Sequence, residues 1–175
     1  MSTPSRSRVG FVEYVEARRP HLQRSAYLLC GDPGRAEDIV QVALTRLYLN
    51  WPKVQRADSV DAYVRRSLVN TFINESKRPW RRERSGLDGV ADPMVPGPSE
   101  HGEHDDDLWS ALGALSPGQR QVVVLRHYWG LSVEETAADL GISTGTVKSQ
   151  THLALTRLRA ALTGPPDTES TRRTS

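Results

Sequence analysis

The sequence contains few of the residues that stabilise small extracellular or metal-binding proteins. Its 175 residues include one cysteine, Cys30, which excludes an internal disulfide and a site built from several thiolates. Cys30 follows the apolar residues Tyr27 to Leu29, so we interpret it as a small core residue in a reducing compartment. No apolar run approaches the ~20 residues of a membrane span, and the N-terminus has no apolar signal core. We therefore expect a soluble, cytoplasmic protein.

Motifs of catalysis are also missing. The chain has no glycine-rich phosphate loop, no HExxH and no Gly-x-Ser-x-Gly elbow. His101, Glu103, His104 and Asp105 to Asp107 are of metal-binding types. However, a flexible segment cannot orient such ligands, and loose ligands bind metal weakly. We predict that the protein is not an enzyme and has neither a metal site nor a cofactor.

Charge divides the chain into blocks. Residues 1–84 carry 16 Lys and Arg against 9 Asp and Glu, whereas residues 85–107 carry 7 acidic residues and no basic one. Residues 108–162 are mildly basic, with 5 Lys and Arg against 3 Asp and Glu. The acidic block is also rich in Gly and Pro, which is typical of a linker. We predict two domains, 1–84 and 108–162, a flexible linker over 85–107 and a disordered tail over 163–175.

Apolar residues at helical spacing predict three helices in the first domain. The first covers about residues 11–30, with Val12 among its apolar positions and Pro20 predicting a kink or two shorter helices. Asp32 and Pro33 are an N-cap and a first-turn proline that begin the second helix, which is expected to end near residues 50–52. The third covers about residues 61–77. The predicted fold is all-α.

The stretch from Leu131 to Leu162 has the pattern of a helix-turn-helix. Ser132 and Glu135 form a capping box, and Gly141 ends the first helix where a positive φ is needed. Ser143 then caps a longer helix. The apolar positions of that helix are Val147, Ala154, Leu155, Leu158 and Leu162. A short helix, a glycine-containing turn and a longer helix indicate a DNA-binding motif whose second helix enters the major groove.

Polar side chains are concentrated at the start of that second helix, where such a motif meets base edges. They are Thr144, Thr146, Lys148, Ser149, Gln150 and His152. Hydroxyl, amide and ammonium groups are the types that hydrogen-bond to bases and phosphates. We predict that these six residues bind DNA.

A second group of cations lies on and after the third helix. Arg65 and Arg66 are on the helix, and the run after it contains Lys77, Arg78, Trp80 and Arg81. Cations neutralise phosphates, and aromatic rings such as those of Tyr63 and Phe72 can stack on unpaired bases. The first domain is therefore also predicted to bind nucleic acid.

Three stretches together resemble the extracytoplasmic-function (ECF) sigma factors, the two-domain promoter-recognition subunits of bacterial RNA polymerase. They are AEDIVQVALTRLYLNW (36–51), AYVRRSLVNTFINESKR (62–78) and LRHYWGLSVEETAADLGISTGTVKSQ (125–150). Their order, with an acidic linker between the second and third, is most similar to the actinobacterial sigma-E-like branch. The resemblance implies transcription initiation at specific promoters, in response to a stress or envelope signal.

The resemblance also implies roles for individual residues. Glu37, Asp38, Gln41 and Thr45 would bind the clamp helices of the polymerase's largest subunit. Arg65, Arg66, Asn70, Asn74 and the basic run would melt and read the −10 element, with a flipped base held near residues 70–77. The six polar residues of the helix-turn-helix would read the −35 element. An anti-sigma factor is a further implied partner.

Two other functions are consistent with parts of the sequence. A stand-alone helix-turn-helix regulator would bind a DNA palindrome as a dimer without polymerase, but it would have no use for the 36–51 helix. An RNA-binding or scaffolding protein would use the basic run, but it would leave the capped second helix of the motif without a role.

Overall fold

The computed structural model describes residues 6–76 and 103–163, with side chains at positions 10–75 and 107–163. Within these ranges the chain is helical and has no β-strand, which confirms the all-α prediction. The helices are α1 (Arg6–Cys30), α2 (Pro33–Val54), α3 (Val60–Ser76), α4 (Glu103–Gly113), α5 (Pro117–Val123), α6 (Val133–Leu140) and α7 (Thr144–Thr163). None of these helices is long and apolar enough to cross a membrane.

Helices α1, α2 and α3 pack around a common apolar interior. Its largest fully buried side chains include Leu22, Leu29, Ile39, Leu47, Leu68 and Val69. Helix α2 begins as predicted, because the Oδ1 atom of Asp32 accepts a hydrogen bond from the backbone N–H of Arg35 at 2.6 Å. Asp61 joins α3 to α1, since it accepts hydrogen bonds from the Tyr14 hydroxyl at 2.7 Å and from Nε of Arg18 at 3.0 Å.

Two proline residues interrupt the helices less than predicted. Helix α1 is one helix that contains Pro20, and α2 contains Pro52 and ends at Val54. The alternative of two shorter helices at Pro20 is therefore wrong, and α2 continues two residues beyond the end predicted near residues 50–52. Pro20 is exposed, so water can satisfy the carbonyl that the proline leaves without a donor. At Pro52, the buried side chains of Trp51 and Val54 hold the final turn against the core.

The second half of the chain contains α4 to α7. Helix α4 begins at Glu103, so part of the segment predicted as linker is helical. Ser116 and Gln119 form a capping box at the start of α5. A π-helical turn (Val124–Tyr128) follows α5, and the N–H of Trp129 donates to the carbonyl of Val124 at 3.0 Å. Such wider turns are rare and occur often at functional sites.

The two halves pack against each other. Leu22 and Leu29 of α1 belong to the same buried cluster as Trp109 and Leu125 of the second half. The rings of Tyr27 and Trp109 meet edge to face with their centroids 3.9 Å apart. The apolar core is therefore shared between the two helical domains.

Burial confirms predicted core residues such as Cys30, Val147 and Ala154 and contradicts the predictions for Val12 and Leu162. Cys30 is only 6% exposed, as predicted for a structural cysteine. Val12 is 50% exposed and Leu162 is 54% exposed, so their assignment to the interior is wrong. Leu162 lies in the last turn of α7, where every residue from 159 to 163 is exposed. The helical period alone could not show that this turn extends beyond the core.

Candidate nucleic-acid interface

The helix-turn-helix consists of α6, Gly141 and α7. Ser132 Oγ accepts the N–H of Glu135 at 3.0 Å, and the Glu135 carboxylate accepts the N–H of Ser132 at 2.8 Å. The hydrogen bond from the backbone N–H of Ser132 is the main reason that the pKa of the Glu135 carboxyl lies below its ordinary value. Gly141 has a φ of 64°, which favours glycine because a Cβ would be strained there. The local structure is the one that the sequence predicted.

The start of α7 is capped and held against the core. Ser143 Oγ accepts the N–H of Thr146 at 3.1 Å and lies 2.8 Å from Thr146 Oγ1. Val147 is fully buried, which fixes the rotation of α7 about its axis. The side of the helix opposite Val147 therefore points to solvent.

Five of the six predicted DNA-binding residues have exposed side chains near the start of α7. Thr144, Thr146, Lys148, Ser149 and His152 are all exposed. Gln150 differs, because it is only partly exposed and its Oε1 atom is buried without a hydrogen-bond partner among the described residues. The amide oxygen of Gln150 thus points toward the protein. Residue spacing in the sequence cannot show how a side chain is oriented, so Gln150 was grouped with the other five residues.

The arginines of α3 have unequal exposure. The side chain of Arg66 is 57% exposed, whereas that of Arg65 is 10% exposed. Both Nε atoms lie 2.6 Å from the carboxylate of Asp139 on α6. Asn70 and Asn74, one and two turns further along the helix, are exposed. The remaining predicted residues Lys77, Arg78, Trp80 and Arg81 lie outside the described residues.

A cavity of about 590 Å³ opens beside α3. Its walls come from α2, the α2–α3 turn and α3. They include Arg46, Asp58, Ser59, Tyr63, Arg66 and Asn70. Tyr63 provides an aromatic wall, and the amide, hydroxyl and guanidinium groups provide hydrogen-bond donors and acceptors. A cavity with these groups can hold a planar, polar ring.

Part of this cavity was missing from the sequence prediction. Arg46, Asp58 and Ser59 were not predicted as site residues, although Asp58 and Ser59 lie between the second and third predicted helices. Arg46 is held by a hydrogen bond of 3.0 Å from its Nη1 to Thr71 Oγ1. A turn between two packed helices was the signal that could have located this site.

Helix α2 presents a second exposed surface. Glu37, Asp38, Gln41 and Thr45 are all exposed, as the polymerase-binding prediction requires. Glu37 also forms a 3.6 Å ion pair with Arg19. Two apolar residues share this side and were not predicted, Val42 at 37% and Leu49 at 73% exposure. We call the six residues together the α2 surface.

The two halves of the chain match two regions of one protein family. Residues 14–82 match the family model of sigma-70 region 2, and residues 105–158 match that of sigma-70 region 4. The RNA polymerase sigma-E factor of Streptomyces coelicolor is 42% identical over 156 residues, which cover 87% of this chain and 85% of that protein. The ECF RNA polymerase sigma factor EcfG of Rhodopseudomonas palustris is 32% identical, with 88% and 90% covered.

A solved structure has the same fold. The sigma factor RpoE of Bartonella quintana, determined in complex with the anti-sigma factor NepR, superposes with a TM-score of 0.71 at 26% identity. The match covers 88% of this chain and 97% of that one. Two sigma-70 regions in the expected order and close relatives over nearly the whole chain show that this protein belongs to the ECF sigma factors of RNA polymerase, near the sigma-E factors of Streptomyces.

Proposed function

We propose that this sigma factor reads the −35 element with α7 and the −10 element with α3 and the cavity beside it. The observation that carries the proposal is the exposure of Thr144, Thr146, Lys148, Ser149 and His152 near the start of a helix that Val147 and Ala154 hold in the core. A capped helix with this surface can lie in the major groove and place polar groups against base edges. Gln150, whose amide oxygen is buried, would hold the start of α7 in position rather than contact a base.

The cavity would hold one flipped base of the non-template strand. Unstacking a base costs a few kcal/mol, and a polar pocket with an aromatic wall offsets that cost by stacking and hydrogen bonding. Tyr63 and Asn70 line the cavity and are suited to these two interactions. This arrangement extends the predicted base-binding segment from α3 to the α2–α3 turn.

The α2 surface would bind core polymerase. An apolar centre with a polar edge is the usual composition of a protein interface. Leu49 and Val42 would supply the apolar contact, and Asp38, Gln41 and Thr45 would supply the polar edge. This use of α2 distinguishes a sigma factor from a regulator that binds DNA alone.

The proposal includes three further points. The protein acts in the cytoplasm, where the polymerase and the promoter are found. It binds and opens DNA but performs no bond chemistry, which belongs to the polymerase. An anti-sigma protein controls it, as the NepR complex of the Bartonella relative suggests for this chain.

Reconstituted transcription tests the proposal. Core RNA polymerase from an actinobacterium would be given fragments of genomic DNA, with and without the full chain. New start sites that depend on the protein are expected, and their alignment would reveal a −10 and a −35 sequence. Tight binding of the protein alone to a palindrome, without new transcripts, would instead favour a stand-alone regulator.

A further inference from the structure

Leu153 is an apolar side chain on the exposed surface of α7. It lies five residues after Lys148 and is 47% exposed. Five residues correspond to about 7.5 Å along a helix axis, which is less than the width of the DNA major groove, about 12 Å. When Lys148 is in the major groove, Leu153 is therefore within reach of the same groove.

Two hydroxyl groups beside Leu153 donate to the backbone of α7. Residues three and four positions apart are neighbours on a helix surface, so Ser149 and Thr156 flank Leu153. The Ser149 hydroxyl donates to the carbonyl of Thr146 at 3.1 Å, and the Thr156 hydroxyl donates to the carbonyl of His152 at 2.9 Å. Both hydroxyl protons are therefore used within the helix.

The other two neighbours of Leu153 direct polar atoms toward the protein. The Oε1 atom of Gln150 is buried, and Nη1 of Arg157 donates to Oε1 of Gln119 on α5 at 2.9 Å. Leu153 therefore lies at the centre of a surface that offers a base edge fewer hydrogen-bonding groups than its residue types indicate.

The major groove of unmodified DNA contains one apolar group, which is the C5-methyl group of thymine. The other groups at the base edges of this groove are hydrogen-bond donors and acceptors. An apolar side chain that covers a donor or an acceptor leaves it without a partner, which is unfavourable. An apolar side chain that covers a methyl group buries apolar surface, which is favourable. Leu153 therefore suits the thymine of a T·A pair.

We propose that Leu153 contacts the methyl group of a thymine in the −35 element and makes one position of that element selective for a T·A pair. This inference rests on the proposed reading of the −35 element by α7, and it names a base that α7 reads. The contact adds a selectivity that hydrogen bonds from Lys148 and the other polar residues do not provide.

Deoxyuridine tests this contact, because it pairs as thymidine does but lacks the methyl group. The probe is a promoter duplex identified by reconstituted transcription, in which each thymine of the −35 element, on either strand, is replaced singly by deoxyuridine. Binding is measured for the holoenzyme, formed from core polymerase and the full chain. We expect the affinity to fall about fourfold at one position, the effect of losing one buried methyl group. This measurement uses the unsubstituted protein and so does not depend on the folding of a variant.

The substitution Leu153→Ala identifies the side chain that makes the contact. The variant should bind the thymine duplex about fourfold or more weakly, and it should bind the thymine and deoxyuridine duplexes equally. Such a double-mutant cycle measures the coupling between the two groups. The control is Leu162→Ala, which removes another exposed leucine from α7 and should keep the fourfold preference for the methyl group. Circular dichroism verifies that both variants are folded.

Three outcomes would overturn the thymine contact while the reading of the −35 element stands. In the first, base-pair substitutions in the −35 element weaken binding but no deoxyuridine does, or the element contains no T·A pair. In the second, the preference for the methyl group persists in Leu153→Ala. In the third, that variant loses affinity equally on all duplexes, which would place Leu153 against the polymerase or the DNA backbone.

A different result would remove the function on which the inference rests. If no base-pair substitution in the region of the −35 element changed holoenzyme binding, α7 would not read that element. The contact of Leu153 would then fail together with the proposed function of α7.

Discussion

Arg120 donates from Nη1 to the carbonyl oxygen of Leu29 at 3.2 Å, although 91 positions separate the two residues in the sequence. The same guanidinium donates to the carbonyls of Leu112 at 3.2 Å and Leu115 at 3.3 Å. Arg120 is 6% exposed. One buried cation therefore donates to carbonyls near the ends of α1 and α4, where helix carbonyls have few backbone donors.

Replacing Arg120 should destabilise the whole protein. Arg120→Leu would remove a buried donor from three carbonyls, of which the Leu112 carbonyl keeps the N–H of Leu115 as a second donor, so we expect a loss of about 3 kcal/mol in the free energy of unfolding. Urea unfolding followed by circular dichroism measures this loss. Arg159→Leu, at an exposed position of α7, is the control and should change stability by less than about 0.5 kcal/mol. Equal effects of the two substitutions would contradict the bridging role of Arg120.

His21 makes the contact between the halves sensitive to pH. Burial lowers the pKa of His21 below its ordinary value of 6.5, nearby Arg18 lowers it further, and Asp61 raises it in part. The unfolded chain thus binds more protons just below pH 6.5 than the folded chain. Stability should be full above pH 6.5 and fall as the pH drops through and below that value.

The substitution His21→Phe tests this expectation. Phenylalanine can keep the stack on Tyr128 but cannot be protonated. Unfolding curves between pH 5 and pH 8, the range in which a histidine changes charge, should lose part of their pH dependence in this variant. A pH profile identical to that of the unsubstituted protein would show that His21 does not cause the effect.

The buried thiol should be unreactive in the folded protein. Burial raises the pKa of the Cys30 thiol from 9.0 to about 11, and the thiolate is the reactive form. At pH 8 only about one thiol in a thousand would be ionised. An aromatic disulfide reagent, whose reaction with a thiol releases a coloured product, should therefore react slowly with the folded protein. The same reagent should react quickly after the protein is unfolded in guanidinium chloride. Rapid reaction of the folded protein would mean that Cys30 is accessible.

Leu49 should contribute to polymerase binding without contributing to stability. It is 73% exposed on α2, so Leu49→Ala removes little buried surface from the folded chain. We expect a loss of about 1–2 kcal/mol in binding to core polymerase, as for an apolar contact at the centre of an interface. The control is Leu162→Ala, which removes an equally large exposed side chain at the end of α7. Equal affinity of both variants for the core would contradict the proposed role of the α2 surface.

The sequence pattern correctly predicted helix caps and turns, because these depend on residues close together in the chain. Three such elements each involve residues within a few positions of one another. They are the N-cap at Asp32, the capping box of Ser132 and Glu135, and the turn at Gly141. Their hydrogen bonds follow from residue type and spacing, which a sequence displays directly. The exposed polar surface of α7 was predictable for the same reason, once Val147 had been placed inside.

Contacts between distant residues were not predictable. No sequence pattern indicated that Asp139 would meet Arg65 and Arg66, since 74 and 73 positions separate them. The orientation of Gln150 was unpredictable for the same reason, because only the packing of α7 decides whether its amide faces solvent. Charge and spacing describe what a side chain can bind, whereas tertiary packing decides which partner reaches it.

The strongest test of promoter reading concerns Lys148. It is exposed in the first turns of α7, one position after the buried Val147, so its substitution should leave folding intact. If its ammonium contacts a base, Lys148→Ala should lose about 1–3 kcal/mol of discrimination at one −35 position. If the ammonium contacts only a phosphate, binding should weaken equally on all sequences and the salt slope should fall by about 1.

Holoenzyme transcription from promoters with single −35 substitutions distinguishes these two cases. Arg159→Ala, three turns further along α7, is the control for a general loss of positive charge. Unchanged transcription from every promoter would remove Lys148 from the DNA-reading surface. A loss confined to one −35 position would place the ammonium against that base pair, and with it the N-terminal end of α7 in the major groove.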